Sequence, residues 1–364
     1  MTTWRIIYTD LKAGTVLGEL PAQSFSFTDA LNGDGSFVVT TPLVTTTPTG
    51  RLTNDASAIQ LNVAELQEGG TAIYFQRDNA VLWGGIVWGV SADVGANLLN
   101  IEGMGFLSYF RRRYIRVDTT WSATDQLNIA RALIDNAQAV PEGSIGMSTS
   151  ETQTAGVTRD RTFKGYERKE VAEALVQLAS VDNGFDFRFD SFRDGSGDIQ
   201  TEFRTTYPAQ GRRTEIVFEL GTNVQLLNYR SHGGSLTNTT DAIGAGDGND
   251  LLVRTAHNPD SLLDRPLLES VLSLSSVSVE ATLDEHAARA ITRGSSTIKT
   301  LSVAVFPDEV PKLGSYVVGD QIKIKGSYGY ISLNDFYRIT SIGAAVSPDR
   351  AEVATLSMTA SEVF

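Results

Sequence analysis

The chain has 364 residues, a formal net charge of −13, and 41% hydrophobic and 20% charged residues. The absence of cysteine excludes disulfides and thiolate metal sites. No apolar run approaches the roughly 18 residues that a membrane-spanning helix needs, and no signal peptide precedes the first strand, so we expect a soluble protein. Acids exceed bases along the whole length, and tight nucleic-acid binding, which depends on neutralising phosphates, is therefore not expected.

The first 57 residues predict strands separated by tight turns. Asn32-Gly33 and Asp34-Gly35 are strong turn sequences between two β-rich runs. The polar run at residues 45–57 predicts a surface loop. The strands are expected at residues 4–8, 15–20, 25–28 and 36–41.

Residues 71–116 are the segment around which we expect the rest to be organised. Residues 73–76 and 81–83 predict a hairpin that turns at Asp78-Asn79. Gly84-Gly85 then predicts a bulge or a sharp bend. Two more strands, at residues 86–91 and 98–102, complete a pattern that is typical of the corner of a small barrel.

The middle of the chain predicts two helices and an alternating strand. The first helix should begin at the caps in residues 122–125, and the second should begin near Val171 and end at Asn183-Gly184. Strict alternation at residues 185–190 predicts a strand, with Asp186 and Asp190 on one solvated or interface face.

The last third predicts a second β-rich segment. Residues 233–248 form a glycine-rich loop, and Thr282 to Glu285 is a capping box that opens a helix over residues 283–292. The strands are expected at residues 298–305, 316–318, 321–325, 336–344 and 351–359.

The order of these motifs resembles that of a known family. Residues 71–116 contain, in order, an aromatic strand, an Arg-Asp turn, Trp-Gly-Gly-Ile-Val at residues 83–87, Ile-Glu-Gly-Met-Gly at residues 101–105 and an arginine cluster. This order resembles the first barrel of phage tail-hub proteins. These are minor tail proteins of long-tailed, non-contractile phages. They are similar in fold to the baseplate hub of contractile tails and to the type VI spike base. The helix–glycine–strand unit is similar to the family's middle domain, and residues 318–326, 336–343 and 351–358 together resemble its second barrel.

The resemblance implies a mainly β fold, α+β overall, with two small β-barrel hub domains and inserted α+β segments. The boundaries would be residues 1–117 for the first barrel, 118–218 for an α+β middle domain, and 219–364 for the second barrel, with a loop and helix insertion near 231–297.

The resemblance also implies a structural tail-tip protein of the virion, made in the host cytoplasm, without a cofactor or catalytic activity. It would form a homotrimeric ring that joins the six-fold tail tube to the three-fold tip and encloses the DNA channel. Its partners would be a distal tail ring protein, the tail-length scaffold protein and a central fibre or other tip proteins. DNA would pass without specific binding.

The candidate interface residues are the only dense basic run. In isolation the cluster could bind phosphates, but the acidic surroundings and the flanking Phe110, Tyr114 and Ile115 favour carboxylate partners within the chain or across a subunit interface. The family's arginine at this point favours the same interpretation. The cluster comprises Arg111, Arg112, Arg113 and Arg116.

Catalytic and metal-binding patterns are weak. His232, His257 and His286 lack metal-ligand spacing, and no nucleophile elbow occurs. The carboxylates around residues 241–250 could hold calcium, but the pattern of a calcium loop fails, and a solvated loop is favoured. The oxygen-bearing residues of that run are Asp241, Asp247, Asn249 and Asp250.

Two alternatives remain open from the sequence: a cell-wall or carbohydrate-degrading tip enzyme and a receptor-binding module. Asp186 and Asp190 would serve such an enzyme only if a fixed separation held two carboxyls together. We also expect no appended enzyme domain, since the sequence ends at Phe364 directly after the second barrel.

Overall fold

The structure is a computed structural model, and the mainly β fold that the sequence predicts is confirmed. It describes residues 3–43, 66–181, 183–209, 212–275 and 277–360. The surface loop predicted at residues 45–57 lies outside these ranges. No helix in the described part of the chain has the length and apolar character needed to cross a membrane.

The strands are β1 (Trp4–Asp10), β2 (Val16–Leu20), β3 (Ser24–Ala30), β4 (Ser36–Pro42), β5 (Thr71–Arg77), β6 (Ala80–Asp93), β7 (Leu98–Gly105), β8 (Thr119–Asp125), β9 (Thr158–Phe163), β10 (Asp186–Arg193), β11 (Ile199–Thr206), β12 (Arg213–Glu219), β13 (Val224–His232), β14 (Thr239–Ile243), β15 (Val253–His257), β16 (Glu269–Ser273), β17 (Ile298–Val305), β18 (Gln321–Tyr328), β19 (Ile331–Val346) and β20 (Glu352–Ala360). The helices are α1 (Leu107–Phe110), α2 (Gln126–Gln138), α3 (Val171–Ala179), α4 (Pro259–Asp264) and α5 (Glu280–Gly294).

The chain divides into two compact units. The first combines Met1–Gln225 with Val303–Ser357, and the second combines Leu226–Ser302 with Met358–Phe364. The three-domain division at residues 117 and 218 stays a prediction.

One large sheet of the first unit contains strands from both ends of the sequence. Its order is β19-β3-β4-β7-β6-β5-β1-β2, antiparallel throughout, and β18 pairs with β19 while β12 adds to β18 in parallel. The N-terminal β3 and the C-terminal β19 are thus direct neighbours. The pairing of these strands is an open path, so closed barrels stay a prediction.

The predicted hairpin at the start of residues 71–116 is confirmed, but the role of its glycines was wrong. Asp78 takes a positive φ of 53° in the turn between β5 and β6. β6 runs without a break through Gly84-Gly85, and the register shift lies instead at Phe75/Gln76 of β5. A Cβ on Gly84 would lie 2.5 Å from the Tyr74 ring, so this glycine permits close packing rather than a bend.

The predicted helices are present, but two of their boundaries differ from the prediction. Asp125 caps α2 by accepting a hydrogen bond from the Leu127 amide at 2.9 Å. α3 ends at Ala179, before the predicted stop at Asn183, and α5 begins at Glu280, ahead of the predicted capping box. The strand predicted at residues 316–318 is wrong, because Tyr316 lies in a connecting segment, where it packs edge-on against Phe218.

Aromatic rings fill the core of the large sheet. Phe27 stacks on Trp83 with ring centroids 5.6 Å apart and nearly parallel planes, and Phe75 lies 4.9 Å from Phe27. A further buried cluster joins α2, α3 and the β10–β11 hairpin to residues of the large sheet, among them Ile7, Tyr74 and Ile86. The middle segment therefore packs on the large sheet and shares an apolar core with it.

The second unit contains a small sheet backed by a helix. Its order is β15-β14-β16, and Leu283 and Ala287 of α5 pack on Ala242 of β14. The glycine-rich loop predicted at residues 233–248 and the solvated loop predicted at residues 241–250 are both wrong in part, since Thr239–Ile243 form β14.

A buried ion pair links the middle of the chain to β19. Asp186 and Arg338 are each 3% exposed and bind each other directly. The Asn32 side chain donates to Asp186 at 3.0 Å and accepts from the Phe187 amide at 2.7 Å. The solvated face predicted for Asp186 is therefore wrong, because β19 and the β3–β4 turn cover it.

A second carboxylate of the first unit titrates abnormally. Burial raises the pKa of Asp29 on β3 to about 7, and the nearby negative charge of Asp190 adds to the rise. Arg188 and a hydrogen bond from the Trp83 indole offset part of it. Asp29 therefore gains its charge near neutral pH, above the range of an ordinary carboxyl.

We expect Arg338→Ala to lower the free energy of unfolding by about 3–5 kcal/mol, because Asp186 would stay buried without its counter-charge. Arg5→Ala is the matched control, since the Arg5–Glu19 pair is exposed and should contribute at most about 1 kcal/mol. Urea unfolding measures both, and equal effects would contradict the importance of burial.

We expect stability to rise as pH falls from 8 towards 5, through the folded pKa of about 7 for Asp29. The folded state takes up a proton in that window and the unfolded state, with an ordinary carboxyl, does not. Asp29→Asn should therefore raise the urea midpoint at pH 8 and change it little at pH 5. An equal change in the urea midpoint at pH 8 and pH 5 would exclude Asp29 as the source of the pH dependence.

Candidate functional site

The predicted arginine cluster follows an anchored turn. β7 leads into α1, whose Leu107 and Phe110 are fully buried in the apolar cluster that the middle segment shares with the large sheet. The buried side chains of α1 therefore fix the position at which the arginine cluster reaches the surface. Arg112 and Arg116 are exposed, whereas Arg113 is half-buried.

Arg111 contacts two carboxylates of the same chain. Its Nε donates to Asp34 Oδ2 at 2.8 Å, and its Nη1 lies 3.4 Å from Glu170 Oε1. Asp34 lies in the β3–β4 turn and Glu170 directly precedes α3, so Arg111 connects two segments. The Arg111 side chain is 44% exposed, and such a pair contributes modestly to stability.

Arg112 lies on an aromatic surface. Its guanidinium is 4.5 Å from the centroid of the Trp88 ring. The Trp88 Nε1 donates to the Ser108 Oγ at 2.8 Å, and that hydroxyl donates to the Gly105 carbonyl at 2.6 Å. These bonds hold the indole in one orientation, so the exposed cation has a preset position.

Arg113 makes its contacts within the chain. Its Nη2 donates to the Ala137 carbonyl at 2.8 Å, near the C-terminus of α2, where the helix dipole favours a cation. Its guanidinium also lies 5.7 Å from the Tyr109 ring centroid, and the Tyr109 hydroxyl donates to the Gly143 carbonyl at 2.8 Å. Burial raises the pKa of Tyr109.

Arg116 continues the cluster along the surface. Its carbonyl accepts a hydrogen bond from Arg168 at 3.2 Å. Nearby, the Gly165 amide donates to Asp118 at 2.8 Å and lowers the pKa of that carboxyl, and Lys164 lies 3.0 Å from it. The cluster is thus two residues bound within the chain, Arg111 and Arg113, and two at the surface, Arg112 and Arg116. Its role at a subunit interface stays a prediction.

The sequence analysis missed two arginines that are buried within strands. Arg77, 5% exposed, donates to Glu352 at 2.9 Å and to Asp308 at 2.6 Å, and Arg338 pairs with Asp186. Each is a lone arginine in a strand, and its partners are more than 150 positions away in the sequence. No local pattern could have identified them.

Three of the other candidate residues, Asp190, Asp241 and His257, have structural partners. Arg188 binds Asp190 through two bonds of 2.7 and 3.0 Å, Asp241 accepts from Thr255 at 2.6 Å, and His257 lies 3.1 Å from the Thr239 hydroxyl. Within the ranges that the structure describes, no three histidine, aspartate or glutamate side chains gather as metal ligands.

No family model and no curated protein matches the chain. Solved structures do match it. The 43 kDa tail protein of prophage MuSo2 from Shewanella oneidensis is 12% identical, with a TM-score of 0.64 over 99% of this chain and 98% of that one. A tail protein from Neisseria meningitidis is 10% identical, with a TM-score of 0.61 over 98% and 96%.

A third similar structure is a longer chain from the Francisella PdpA–VgrG complex. It is 8% identical, with a TM-score of 0.55, and the match covers 100% of this chain and 59% of that one. At such identities the comparisons establish the fold. The chain has the fold of these phage tail proteins, and the resemblance to tail-hub proteins that its sequence indicated is confirmed at that level.

Proposed function

We propose that the chain is a structural protein of a phage tail tip, the hub on which the tip is assembled. The observation that carries this proposal is the match to a phage tail protein over 99% of this chain and 98% of the other. A match of that extent supports a correspondence along both chains rather than a single shared motif. The role is structural and not enzymatic, and the candidate carboxylates support this because Asp186 and Asp190 are each paired with an arginine.

The proposed hub is a homotrimer that joins the six-fold tail tube to a three-fold tip. A six-fold neighbour requires six similar surfaces, and two β-rich segments in each of three subunits supply them. Among the described residues β2 ends the strand order of the large sheet and exposes Val16 and Leu17, so it is the proposed edge for pairing with a neighbouring subunit.

The ring encloses a channel through which DNA passes without being held. The net charge of −13 disfavours contacts with phosphates, so a wall of this composition lets a polyanion slide. The proposed neighbours are a distal tail ring protein, the tail-length scaffold protein and a central fibre or other tip protein. The likeness to a chain solved in a two-protein complex supports a docked partner. The location is the tail tip of the virion, after synthesis in the host cytoplasm.

Within the predicted arginine cluster, Arg112 and Arg116 form the proposed contact with a neighbouring subunit. We expect the double change Arg112→Ala and Arg116→Ala to weaken assembly about tenfold, because a preset arginine on an aromatic ring is typical of interface hot spots. Folding should change little, since Arg111 and Arg113 keep their bonds within the chain. Reconstitution with neighbouring tail proteins, followed by sedimentation, measures this.

Arg289→Ala is the matched control for that experiment, because Arg289 is also exposed but lies on α5 of the second unit. Salt-sensitive binding of duplex DNA that the double variant loses would contradict the interface and support a phosphate-binding cluster.

We expect three copies of the chain around the axis of the assembled tip. Averaged electron micrographs of tails measure the copy number and symmetry. Six copies, or a single copy on a side fibre, would contradict the proposed ring. The isolated chain can remain monomeric without contradicting it, because modest ring interfaces can depend on the tube above them.

A further inference from the structure

A positive region lies where residues 111–118 run beside residues 164–170 of the first unit. The Ile115 amide donates to the Lys169 carbonyl at 2.9 Å, which holds the two segments together. They carry seven cations and three carboxylates, whereas the whole chain has 30 cations and 43 carboxylates. The region therefore has the opposite charge to the protein as a whole.

Three arginines of this region are exposed and available to a partner: Arg112, Arg116 and Arg168. Within the part of the chain that the structure describes, none of the three guanidinium groups pairs with a carboxylate. Arg112 lies on the Trp88 ring and Arg168 donates to the Arg116 carbonyl, so two of them are positioned without being neutralised. Apolar and aromatic side chains lie in the same segments, and with the three arginines they form what we call the basic surface. They are Tyr114, 44% exposed, Val117, 72% exposed, and Tyr166, 79% exposed.

The small sheet of the second unit has one covered face and one open face. α5 packs on Ala242 of β14, and the side chains on either side of Ala242 along the strand point away from that helix. Residues directly opposite in neighbouring strands share a face of the sheet. Ile243 lies opposite Val253, and Asp241 lies opposite Val271. The open face therefore carries both valines, which are 46% and 63% exposed.

Carboxylates border this open face. Glu269 of β16 lies opposite Thr239 at one end of the sheet and is exposed. α4, which precedes β16, exposes Asp260 and Asp264. Among the described residues none of these three carboxylates pairs with a cation. We call the open face and its border the acidic face, with Val253, Val271, Glu269, Asp260 and Asp264 as its members.

We propose that the basic surface of one copy binds the acidic face of the neighbouring copy. This inference rests on the proposed ring, in which it names the surface that Arg112 and Arg116 contact. Three copies around a three-fold axis require a heterologous contact, in which two different surfaces of the same chain meet. The basic surface and the acidic face are different surfaces, opposite in charge, and each combines charged with apolar side chains.

A second copy fits the basic surface better than nucleic acid does. Val117 is aliphatic and largely exposed, and the acidic face offers Val253 and Val271 to it, whereas a phosphate backbone offers charge alone. Arginine guanidinium groups match carboxylates in geometry, and complementary charges fix the register of a contact. Because the charges lie at the surface, the contact should weaken as salt is added.

The test reverses the charges of each surface in turn, in the full chain reconstituted with neighbouring tail proteins. Arg112→Glu with Arg116→Glu should weaken assembly at least about tenfold, because like charges would then face each other. Asp264→Arg with Glu269→Arg should do the same. All four changes together should restore assembly to within about threefold of the parent, since opposite charges face each other again. Glu215→Arg is the matched control, because Glu215 is an exposed carboxylate on β12 of the first unit.

Cross-linking tests the contact between copies directly, because the chain contains no cysteine. One variant carries Val117→Cys, and a second variant of different mass carries Val271→Cys. Mixed in assembled tips and treated with a bismaleimide, they should give a covalent product of one chain of each kind. Each chain has a single cysteine, so this product cannot form within a chain, and neither variant alone should cross-link. Both valines are exposed, so the urea midpoints should stay close to that of the parent.

The proposal is overturned if the four changes together fail to restore assembly, or if the mixed variants give no mixed product. It is also overturned if reversing Asp264 and Glu269 leaves assembly unchanged while reversing Arg112 and Arg116 abolishes binding of duplex DNA. Three copies in averaged micrographs with any of these results would keep the ring and exclude this contact alone. A different copy number together with the mixed product and the restored assembly would contradict the ring and keep the contact.

Discussion

The pair of Asp186 and Arg338 is the interaction on which the arrangement of the first unit depends. Asp186 begins β10 of the middle segment, Arg338 lies in β19 near the end of the chain, and Asn32 in an N-terminal turn completes the network. Three distant parts of the sequence therefore meet at one buried charge. A buried pair adds little net stability compared with apolar packing, but breaking it is costly, so it acts mainly against alternative arrangements.

The sequence predicts local elements well because their causes are local. The turn at Asp78 and the cap at Asp125 each depend on a residue whose own side chain or backbone preference determines the structure. The role of Gly84 was predicted wrongly because a glycine within a strand can mark either a bulge or a site of close packing. Only the position of the Tyr74 ring on the neighbouring strand distinguishes the two. Tyr316 has strand-like neighbours, and its burial against Phe218 could not be read from them.

The difference between local and distant causes also separates the clustered arginines from the isolated ones. The dense run at residues 111–116 is conspicuous in the sequence, yet its members divide between bonds within the chain and exposure at the surface. Lone Arg77 and Arg338 are inconspicuous and deeply buried. A dense run of arginines in the sequence indicates a surface that can tolerate charge. The structural importance of an arginine depends instead on its burial and on partners that only the fold brings near.

The register of β10 makes the buried ion pair possible. Asp186, Arg188 and Asp190 alternate with Phe187 and Phe189, and the two phenylalanines pack on Phe203 of β11. A slip of one residue would exchange the two faces, moving the rings out of the apolar core and the charges into it. The aromatic packing therefore fixes the register, and the register places Asp186 against Arg338.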